Sequence, residues 1–214
     1  VHCKICQVVL EEMGEKRYLT QLGTGNYNET TAKLYTDFSL ITYNQPLGKD
    51  VSRFFKNICK NRYFEDYKYI LAAPQGFKQA ILQQIESETA KGKKGRIFIK
   101  VNSMTDPDVI RKLSEASEAG VKIRMIVRGI CCLLPGVSKR TENIHIVNVV
   151  GRYLEHSRVY IFGSGKKERM YISSADLMTR NTEKRVELAF PVIDPKVRGR
   201  IKNTLLLNYM DNVK

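Results

Sequence analysis

The sequence predicts an α/β protein built on a mixed β-sheet flanked by helices, with one complete domain and part of a second. Three observations predict this class. Short apolar stretches of strand length alternate with amphipathic stretches of helix length, in the order that places helices over a sheet. A histidine followed two residues later by a cation occurs twice, far apart in the chain. At 214 residues the chain is also long enough to bury a substantial core.

For the first part of the chain, residues 1–65, the sequence predicts three strands and two helices. Asn28 is a candidate N-cap for the short helix that follows it. A Pro-initiated amphipathic helix then leads to the polar segment 61–66, which marks a boundary. The predicted elements are strands at 3–11, 17–23 and 35–43, a polar turn at 12–16, and helices after Asn28 and at 46–60.

The second part, residues 66–214, predicts a complete α/β unit. Its strands and helices are joined by short links, which indicates a mixed sheet covered by helices. The predicted strands are 69–73, 96–101, 121–127, 144–149, 156–162, 169–173 and 186–192, and the predicted helices are 76–91, 107–119 and 195–209. The chain opens inside a predicted strand with His2 almost at its first residue. We therefore expect a segment of a longer polypeptide.

Composition narrows the possible partners. Lysine and arginine number 36 against 22 acidic residues, which gives a formal charge of +14 and a pI near 9.6. That excess predicts a polyanionic partner, either nucleic acid, an acidic membrane surface, nucleotide phosphates or an inorganic polyanion. No apolar run is long enough for a membrane-spanning helix.

The five cysteines do not form a recognisable metal motif. Cys3 and Cys6 have C-x-x-C spacing, but a second such pair is absent from the sequence. A zinc site that combines His2 with Cys6 is therefore a minor alternative. We expect reduced thiols, with Cys131 and Cys132 packed in the core as small hydrophobic residues.

Two histidine units carry the chemistry that the sequence suggests. His2 precedes Lys4 by two residues and His156 precedes Arg158 by two, and a strand and a small-residue turn ending in Asn or Asp follow each pair. Residues two apart in a strand face the same side. A histidine beside a fixed cation can attack phosphorus while the cation holds phosphate oxygens. One such tripeptide usually marks an exposed strand edge, but the repetition favours phosphoryl transfer.

Other candidates have both a structural and a functional interpretation. Arg128 follows a strand's carboxyl end and is either an exposed arginine or a phosphate contact. Arg180 follows the small-residue turn at 173–176, where a guanidinium can clamp a phosphate with two hydrogen bonds. Tyr35 is, from the residues alone, best explained as a core aromatic. His145 alternates with two isoleucines and is predicted to point outward from its strand.

These residues resemble a known family. The two histidine units resemble the duplicated HKD units of the phospholipase D superfamily, but neither unit has the aspartate that follows the lysine in that motif. This departure argues against an ordinary phosphodiesterase. The whole chain is more closely similar to the carboxyl-terminal region of bacterial polyphosphate kinases of the large, histidine-phosphorylating type. The stretches that carry this similarity are Val-His-Cys-Lys at 1–4, Gly-Thr-Gly-Asn-Tyr-Asn-Glu-Thr-Thr-Ala-Lys-Leu-Tyr-Thr-Asp at 23–37, Val-Arg-Gly-Ile-Cys at 127–131, Arg-Tyr-Leu-Glu-His-Ser-Arg-Val-Tyr-Ile-Phe at 152–162 and Ser-Ser-Ala-Asp-Leu-Met-Thr-Arg-Asn at 173–181.

The resemblance implies a role for each matching residue. His2 matches the histidine that becomes phosphorylated, and His156 matches the second essential histidine, which contacts the nucleotide phosphates. Tyr35 and Arg128 match residues that bind ATP. The cations expected to neutralise charge on the phosphates are Arg128 together with Lys4, Arg158 and Arg180.

The resemblance also implies the fold and the reaction. Residues 1–65 would be the carboxyl-terminal part of a first phospholipase D-like catalytic domain, and residues 66–214 would be the second. The implied enzyme is an ATP–polyphosphate phosphotransferase that moves the γ-phosphate of ATP reversibly to polyphosphate through a phosphohistidine. Mg²⁺ would enter with ATP, and the family's magnesium-contacting arginines lie ahead of the phosphohistidine, so no metal ligand is expected in this chain. The isolated chain is expected to be inactive.

The implied partners are ATP, ADP, inorganic polyphosphate and further copies of the intact enzyme in a homo-oligomer, without nucleic acid. A cytoplasmic location follows from the resemblance, with peripheral association at the inner membrane left open. Two other function classes also stay open on the sequence. A phospholipase D-type nuclease or lipid phosphodiesterase would use two histidines as well. A non-catalytic nucleic-acid-binding module would need only the positive charge.

Overall fold

The computed structural model describes residues 1–210, and the first part of the chain forms a small antiparallel sheet with two helices. The first hairpin turns on Met13 and Gly14, which both have positive φ (51° and 78°), as a two-residue type I′ turn requires. Its strands therefore extend into the predicted turn at 12–16. The elements are β1 (Lys4–Glu12), β2 (Glu15–Gly23), α1 (Glu29–Ala32), β3 (Tyr35–Thr36), β4 (Ser39–Thr42) and α2 (Gln45–Cys59).

The second part forms a seven-stranded sheet with helices, as predicted. Asp106 caps its second helix by accepting hydrogen bonds from two backbone N–H groups. The elements are β5 (Leu71–Ala73), α3 (Phe77–Thr89), β6 (Arg96–Val101), α4 (Pro107–Glu118), β7 (Lys122–Val127), β8 (Ile144–Val147), β9 (Leu154–Glu155), β10 (Arg158–Phe162), β11 (Arg169–Ser173), α5 (Thr179–Glu183), β12 (Glu187–Pro191) and α6 (Pro195–Met210).

The large sheet is mixed, which confirms the predicted class. Its order is β5-β12-β11-β10-β6-β7-β8, with β6, β7 and β8 parallel and the other neighbours antiparallel. One face packs under α3 and α4 through a cluster that includes Phe77, Ile81 and Leu113. The opposite face shares a second cluster with the first part of the chain, in which Leu47 and Val51 of α2 join Ile172 of β11. The two parts are therefore held together by a common apolar interior.

The two parts repeat one arrangement. The small sheet has the order β1-β2-β4, and the corresponding stretch of the large sheet has the order β10-β11-β12. A short helix precedes the third strand and a long helix follows it in both copies. The registers also agree, because Lys4 pairs with Gly23 and Arg158 pairs with Ser173. Each histidine thus stands just ahead of a first strand, beside the small-residue turn that ends the second.

Two sequence expectations are wrong. The single strand predicted at 35–43 is split into β3 and β4, because residues 37 and 38 belong to neither strand and the two strands join different sheets. Cys131 and Cys132 are exposed rather than packed in the core. They lie in the apolar stretch 130–137, which follows β7 as a loop in which Leu133 alone is buried. The apolar composition of this stretch suggested burial, but the stretch forms no strand or helix with a face that could be buried.

Candidate functional site

The candidate site lies where the two histidine units meet. His2 is partly exposed, and its backbone N–H donates to the carbonyl of Val186, directly before β12, at 2.9 Å. Its Nδ1 lies 2.9 Å from the carboxylate of Glu187, and its Nε2 lies 3.0 Å from Nζ of Lys4. The imidazole is thus held on one nitrogen by an acid and faces a cation with the other.

Glu187 is fully buried, and its carboxylate is satisfied by groups of the second part of the chain. The Ser174 hydroxyl and the Asn181 side-chain amide both donate to it, the amide at 2.8 Å. A buried carboxylate is stable only when it is paired and hydrogen-bonded. These contacts fix its position, so that it accepts the proton of His2 Nδ1 and leaves the lone pair of the ring on Nε2.

The second histidine is held in the same way from the opposite side. His156 Nδ1 lies 2.9 and 3.0 Å from the two carboxylate oxygens of Asp37, which also accepts a hydrogen bond from the Thr24 hydroxyl. The ring lies 4.9 Å, centroid to centroid, from Tyr35. The His156 N–H donates to Thr36 O at 3.1 Å, and this places the histidine against β3.

The two arrangements exchange their carboxylates. Glu187 of the second part holds the histidine of the first, whereas Asp37 of the first part holds the histidine of the second. In each case a hydroxyl from the small-residue turn supports the acid. Neither histidine has its partner within its own part of the chain, so both parts are needed to build the site.

The local charges set the protonation of the site. Burial lowers the pKa of His156, and the charges of Arg158 and Lys4 lower it further, whereas the Asp37 carboxylate opposes them. Burial and the nearby Arg158 guanidinium lower the pKa of Lys4 to about 8. His156 is therefore neutral at neutral pH, whereas Lys4 is charged there and loses its proton in mildly alkaline solution.

Arg158 is a buried cation with a matching acid. Its Nε and Nη2 donate to the two oxygens of Asp176 at 3.2 and 3.0 Å, and its Nη1 donates to His156 O at 2.7 Å. Burial raises the pKa of Asp176, but the Arg158 guanidinium outweighs it and holds that pKa below its usual range. The acid that the sequence lacks shortly after Arg158 is thus supplied by Asp176, at the end of the small-residue turn.

The structure connects Arg128 to His156 and leaves Arg180 at the surface. Arg128 Nε donates to Asn102 Oδ1 at 3.0 Å, and Asn102 Nδ2 donates to His156 O at 3.3 Å. Arg180 is exposed on α5, next to the buried Asn181 that contacts Glu187. His145 is exposed on β8, as predicted, and its Nδ1 lies 2.7 Å from the Tyr209 hydroxyl.

The carboxylates of the site were missed by sequence reasoning. A charged residue within or beside an apolar strand was the available signal. Glu187 begins an apolar strand and is buried, and Asp37 interrupts an aromatic one. Lys100 is a further example, because it is 1% exposed within β6. Such residues require partners that local sequence does not identify.

Within residues 1–210, no three or more His, Cys, Asp or Glu side chains lie together as a metal site would require. The carboxylates of Asp37, Asp176 and Glu187 are instead occupied by imidazole and guanidinium groups. The helices in that part of the chain include none with the length and apolar character to cross a membrane.

Known proteins match both parts of the chain. The family profile described as "Polyphosphate kinase C-terminal domain 2" matches residues 70–214, and "Polyphosphate kinase C-terminal domain 1" matches residues 1–63. Polyphosphate kinase of Bacillus cereus and polyphosphate kinase 1 of Chlorobaculum tepidum are each 46% identical over the full length of this chain. The chain spans 31% of the length of these relatives.

Solved structures extend the comparison to the fold. The crystal structure of polyphosphate kinase from Porphyromonas gingivalis superposes with a TM-score of 0.91 at 41% identity, over 100% of this chain and 34% of that one. Nuc from Salmonella typhimurium, a phospholipase D family member, gives a TM-score of 0.50 at 17% identity, over 65% of this chain and 91% of that one. The second likeness concerns the fold alone, and it confirms the predicted phospholipase D-like architecture. By sequence profile, by relatives along its full length and by structure, the chain belongs to the polyphosphate kinase family.

Proposed function

We propose that this chain is the catalytic part of a longer polyphosphate kinase, which transfers the γ-phosphate of ATP reversibly to polyphosphate through a phosphohistidine on His2. The observation that carries this proposal is the pairing of the His2 ring. Glu187 accepts the Nδ1 proton, and Nε2 faces the Lys4 ammonium. A nucleophilic nitrogen therefore stands beside the cation that would hold the phosphate it attacks.

In the first step, the Nε2 lone pair of His2 attacks the γ-phosphorus. The bond from that phosphorus to the bridging oxygen breaks, and ADP leaves with the electron pair. The ring then carries a positive charge, because Nδ1 keeps its proton, and the buried Glu187 carboxylate neutralises it. Lys4 turns from Nε2 to the phosphate oxygens, where positive charge stabilises the transition state.

In the second step, a terminal oxygen of polyphosphate attacks the phosphorus of the phosphohistidine. The N–P bond breaks, its electron pair returns to Nε2, and the chain is longer by one phosphate. The lowered pKa of His156 suits proton exchange with the terminal phosphate, since the neutral ring can take up a proton at Nε2. Reversal of both steps makes ATP from ADP.

The remaining candidates would bind the phosphates. We assign ATP contacts to Tyr35, which lies beside His156, and to Arg128, which reaches the same histidine through Asn102. Each guanidinium nitrogen of the buried Arg158 already donates to Asp176 or to His156 O, so we propose that it acts on the phosphates through its charge. Arg180 would act from the exposed side of α5. The formal charge of +14 suits a polyanionic substrate that is recognised without base-specific contacts.

The residues of this chain do not fit a resident magnesium site. Mg²⁺ prefers oxygen ligands, and the carboxylates of the site are engaged by nitrogen cations and imidazoles. We therefore propose that Mg²⁺ arrives with ATP and that its protein ligands lie mainly outside this chain. Its role would be to neutralise charge on the nucleotide phosphates.

The proposal includes an organisation of the whole protein. Residues 1–65 would complete the first of two phospholipase D-like catalytic domains, and residues 66–214 would form the second. The break between the two matched family profiles, after residue 63 and before residue 70, supports this division. A homo-oligomer and a cytoplasmic or peripheral membrane location are part of the same proposal, which rests for them on the family resemblance.

The proposal is tested with a full-length chimaera, in which these 214 residues replace the matching stretch of the Bacillus cereus relative. With γ-labelled ATP the chimaera should form an acid-labile, alkali-stable phosphoprotein and then polyphosphate. The isolated chain should make little or no polyphosphate. Release of phosphomonoester from DNA or phospholipid without labelling would contradict the proposal and favour a phosphodiesterase, whereas salt-sensitive nucleic-acid binding with neither activity would favour a binding module.

The pKa of Lys4 predicts how the rate of the reaction falls at alkaline pH. Because this pKa is about 8 in the free protein, the ammonium beside His2 is lost as the pH rises through that value. We expect the kcat/KM for ATP, which reports the free enzyme, to fall about tenfold per pH unit above the pKa. In Lys4→Arg the guanidinium stays charged, so this fall should disappear even if activity is lower overall. An unchanged alkaline limb in Lys4→Arg would assign it to another group.

A further inference from the structure

We propose that Lys100 is a positioning residue for His156, which it holds by binding the residues on both sides of that histidine. The inference deepens the proposed function, on which its kinetic consequence rests. Lys100 is not among the residues that the family resemblance assigns, and its side chain is 1% exposed. A lysine is rarely buried to this degree unless its charge has dedicated partners.

The partners of Lys100 flank His156. Its Nζ donates to the Ser157 hydroxyl at 2.7 Å and to the Ser157 carbonyl at 3.2 Å, and it lies 3.2 Å from a carboxylate oxygen of Glu155. An ammonium group has three N–H donors, and here three acceptors surround it. All three belong to the residue before His156 or to the residue after it.

His156 needs such support because of its place in the fold. It lies between β9 and β10, just after its backbone N–H makes the last hydrogen bond to Thr36 O of β3. β9 pairs with β3 of the first part, whereas β10 pairs with β6 of the large sheet. The chain passes from one sheet to the other at this point. Lys100 of β6 pairs with Val159 of β10, just after this crossing.

Asn102, two residues after Lys100, also contacts the backbone of His156. Residues two apart share a face of a strand, and Asn102 follows the end of β6. Its side-chain amide donates to His156 O, while its own backbone N–H donates to Asp176 at 2.7 Å. Lys100 and Asn102, which we call the β6 clamp, thus fix the backbone that carries His156. The imidazole can then meet Asp37 and the approaching phosphates in one geometry.

The clamp is tested first on the histidine itself. In the 214-residue chain, two-dimensional ¹H–¹⁵N spectra should show the His156 ring with its proton on Nδ1, the nitrogen that faces Asp37. The groups around the ring are Asp37, Tyr35, Arg158 and Lys4. Lys100→Met should give a mixture of His156 tautomers and bring the pKa of His156 back towards about 6.5, while the signals of the exposed His145 stay unchanged.

Lys91→Met is the matched control. Lys91 pairs with the buried carboxylate of Glu88 at the far end of α3, so its loss also leaves a buried charge without its partner. We expect this variant to lose stability without any change at His156. If Lys91→Met moves the His156 signals as much as Lys100→Met does, or if Lys100→Met leaves them unchanged, the positioning role is wrong. Ser157→Ala removes the 2.7 Å acceptor at small structural cost and should shift the His156 signals in the same direction, should Lys100→Met fail to fold.

The kinetic arm uses the chimaera. A misplaced histidine should lower kcat/KM for ATP by about ten- to a hundredfold in Lys100→Met, and Lys91→Met should stay within about twofold of the parent. If the parent chimaera forms no phosphohistidine, the proposed function fails and the spectroscopic result on His156 still decides the clamp. If the parent is active and Lys100→Met keeps full activity with an unchanged His156, the clamp fails alone.

Discussion

Replacing His2 by alanine is expected to abolish phosphoprotein formation in the chimaera, with the rate of labelling from γ-labelled ATP reduced by at least about a thousandfold. In the proposed mechanism, Nε2 of His2 supplies the electron pair that takes the phosphate. Lys4 does not replace it below pH 8, where it is an ammonium group. His156 is expected not to replace it, because the proposed mechanism assigns its free Nε2 to proton exchange with the terminal phosphate. Quantitation of label under alkaline conditions, where phosphohistidine survives, measures the effect.

His145→Ala is the matched control for this prediction. His145 is the remaining histidine of the chain, and it lies exposed on β8 against Tyr209. Its loss should leave both labelling and polyphosphate synthesis within about twofold of the parent, as expected for a surface substitution. Alkali-stable label that persists in His2→Ala would place the nucleophile elsewhere.

Glu187→Gln is expected to lower the rate of His2 labelling by up to about ten-thousandfold, the loss seen when a buried acid behind a catalytic histidine becomes an amide. The substitution keeps the shape of the side chain. It removes the negative charge that neutralises the phosphorylated ring, and its NH₂ group can turn towards Nδ1 and favour the wrong tautomer. Single-turnover labelling measures the loss directly, without the second step.

Glu168→Gln provides the corresponding control. The Glu168 side chain is also largely buried and pairs with Lys202 at 2.8 Å, remote from both histidines. Loss of that acid should cost some stability and leave the labelling rate near the parent value. A Glu187→Gln variant that is folded and labels at the parent rate would show that the contact between Glu187 and His2 has no part in the reaction.

The pairing of each histidine with an acid from the other part of the chain explains why the candidate site needs both parts. Each histidine depends on a carboxylate from the other part, and each carboxylate is supported by the turn of its own part. β3 and β9 join across the same boundary. The site is therefore a property of the interface between the repeats, and neither repeat contains a complete histidine–acid pair among the described residues.

The sequence predicted the cations and histidines of the site better than their partners. His2, Lys4, His156 and Arg158 were recognisable because their spacing repeats and because strands place residues two apart on one face. Tyr35 came from family resemblance, since its residue type alone suggests a core aromatic. The acids could not be assigned, because Glu187 is 185 residues from the histidine that it contacts and Asp37 is 119 residues from its own.

For the fold as well, features set by near neighbours were predictable and features set by distant residues were not. Strand and helix positions in the large sheet were predictable from apolar periodicity and capping residues, since those depend on near neighbours. The split between β3 and β4 was not, because β3 pairs with a two-residue strand more than a hundred residues away. Cys131 and Cys132 were misplaced because apolar composition does not distinguish a core strand from a loop over the core.

The most direct measurement of the central claim is the position of the phosphate on the wild-type phosphoprotein. Alkaline digestion of the labelled chimaera, followed by mass spectrometry and ³¹P NMR of the phosphopeptide, identifies both the residue and the ring nitrogen. Because Glu187 holds Nδ1 and Nε2 faces Lys4, we predict phosphate on Nε2 of His2. Phosphate on Nδ1 of His2, on His156, or on a residue other than histidine would contradict the account.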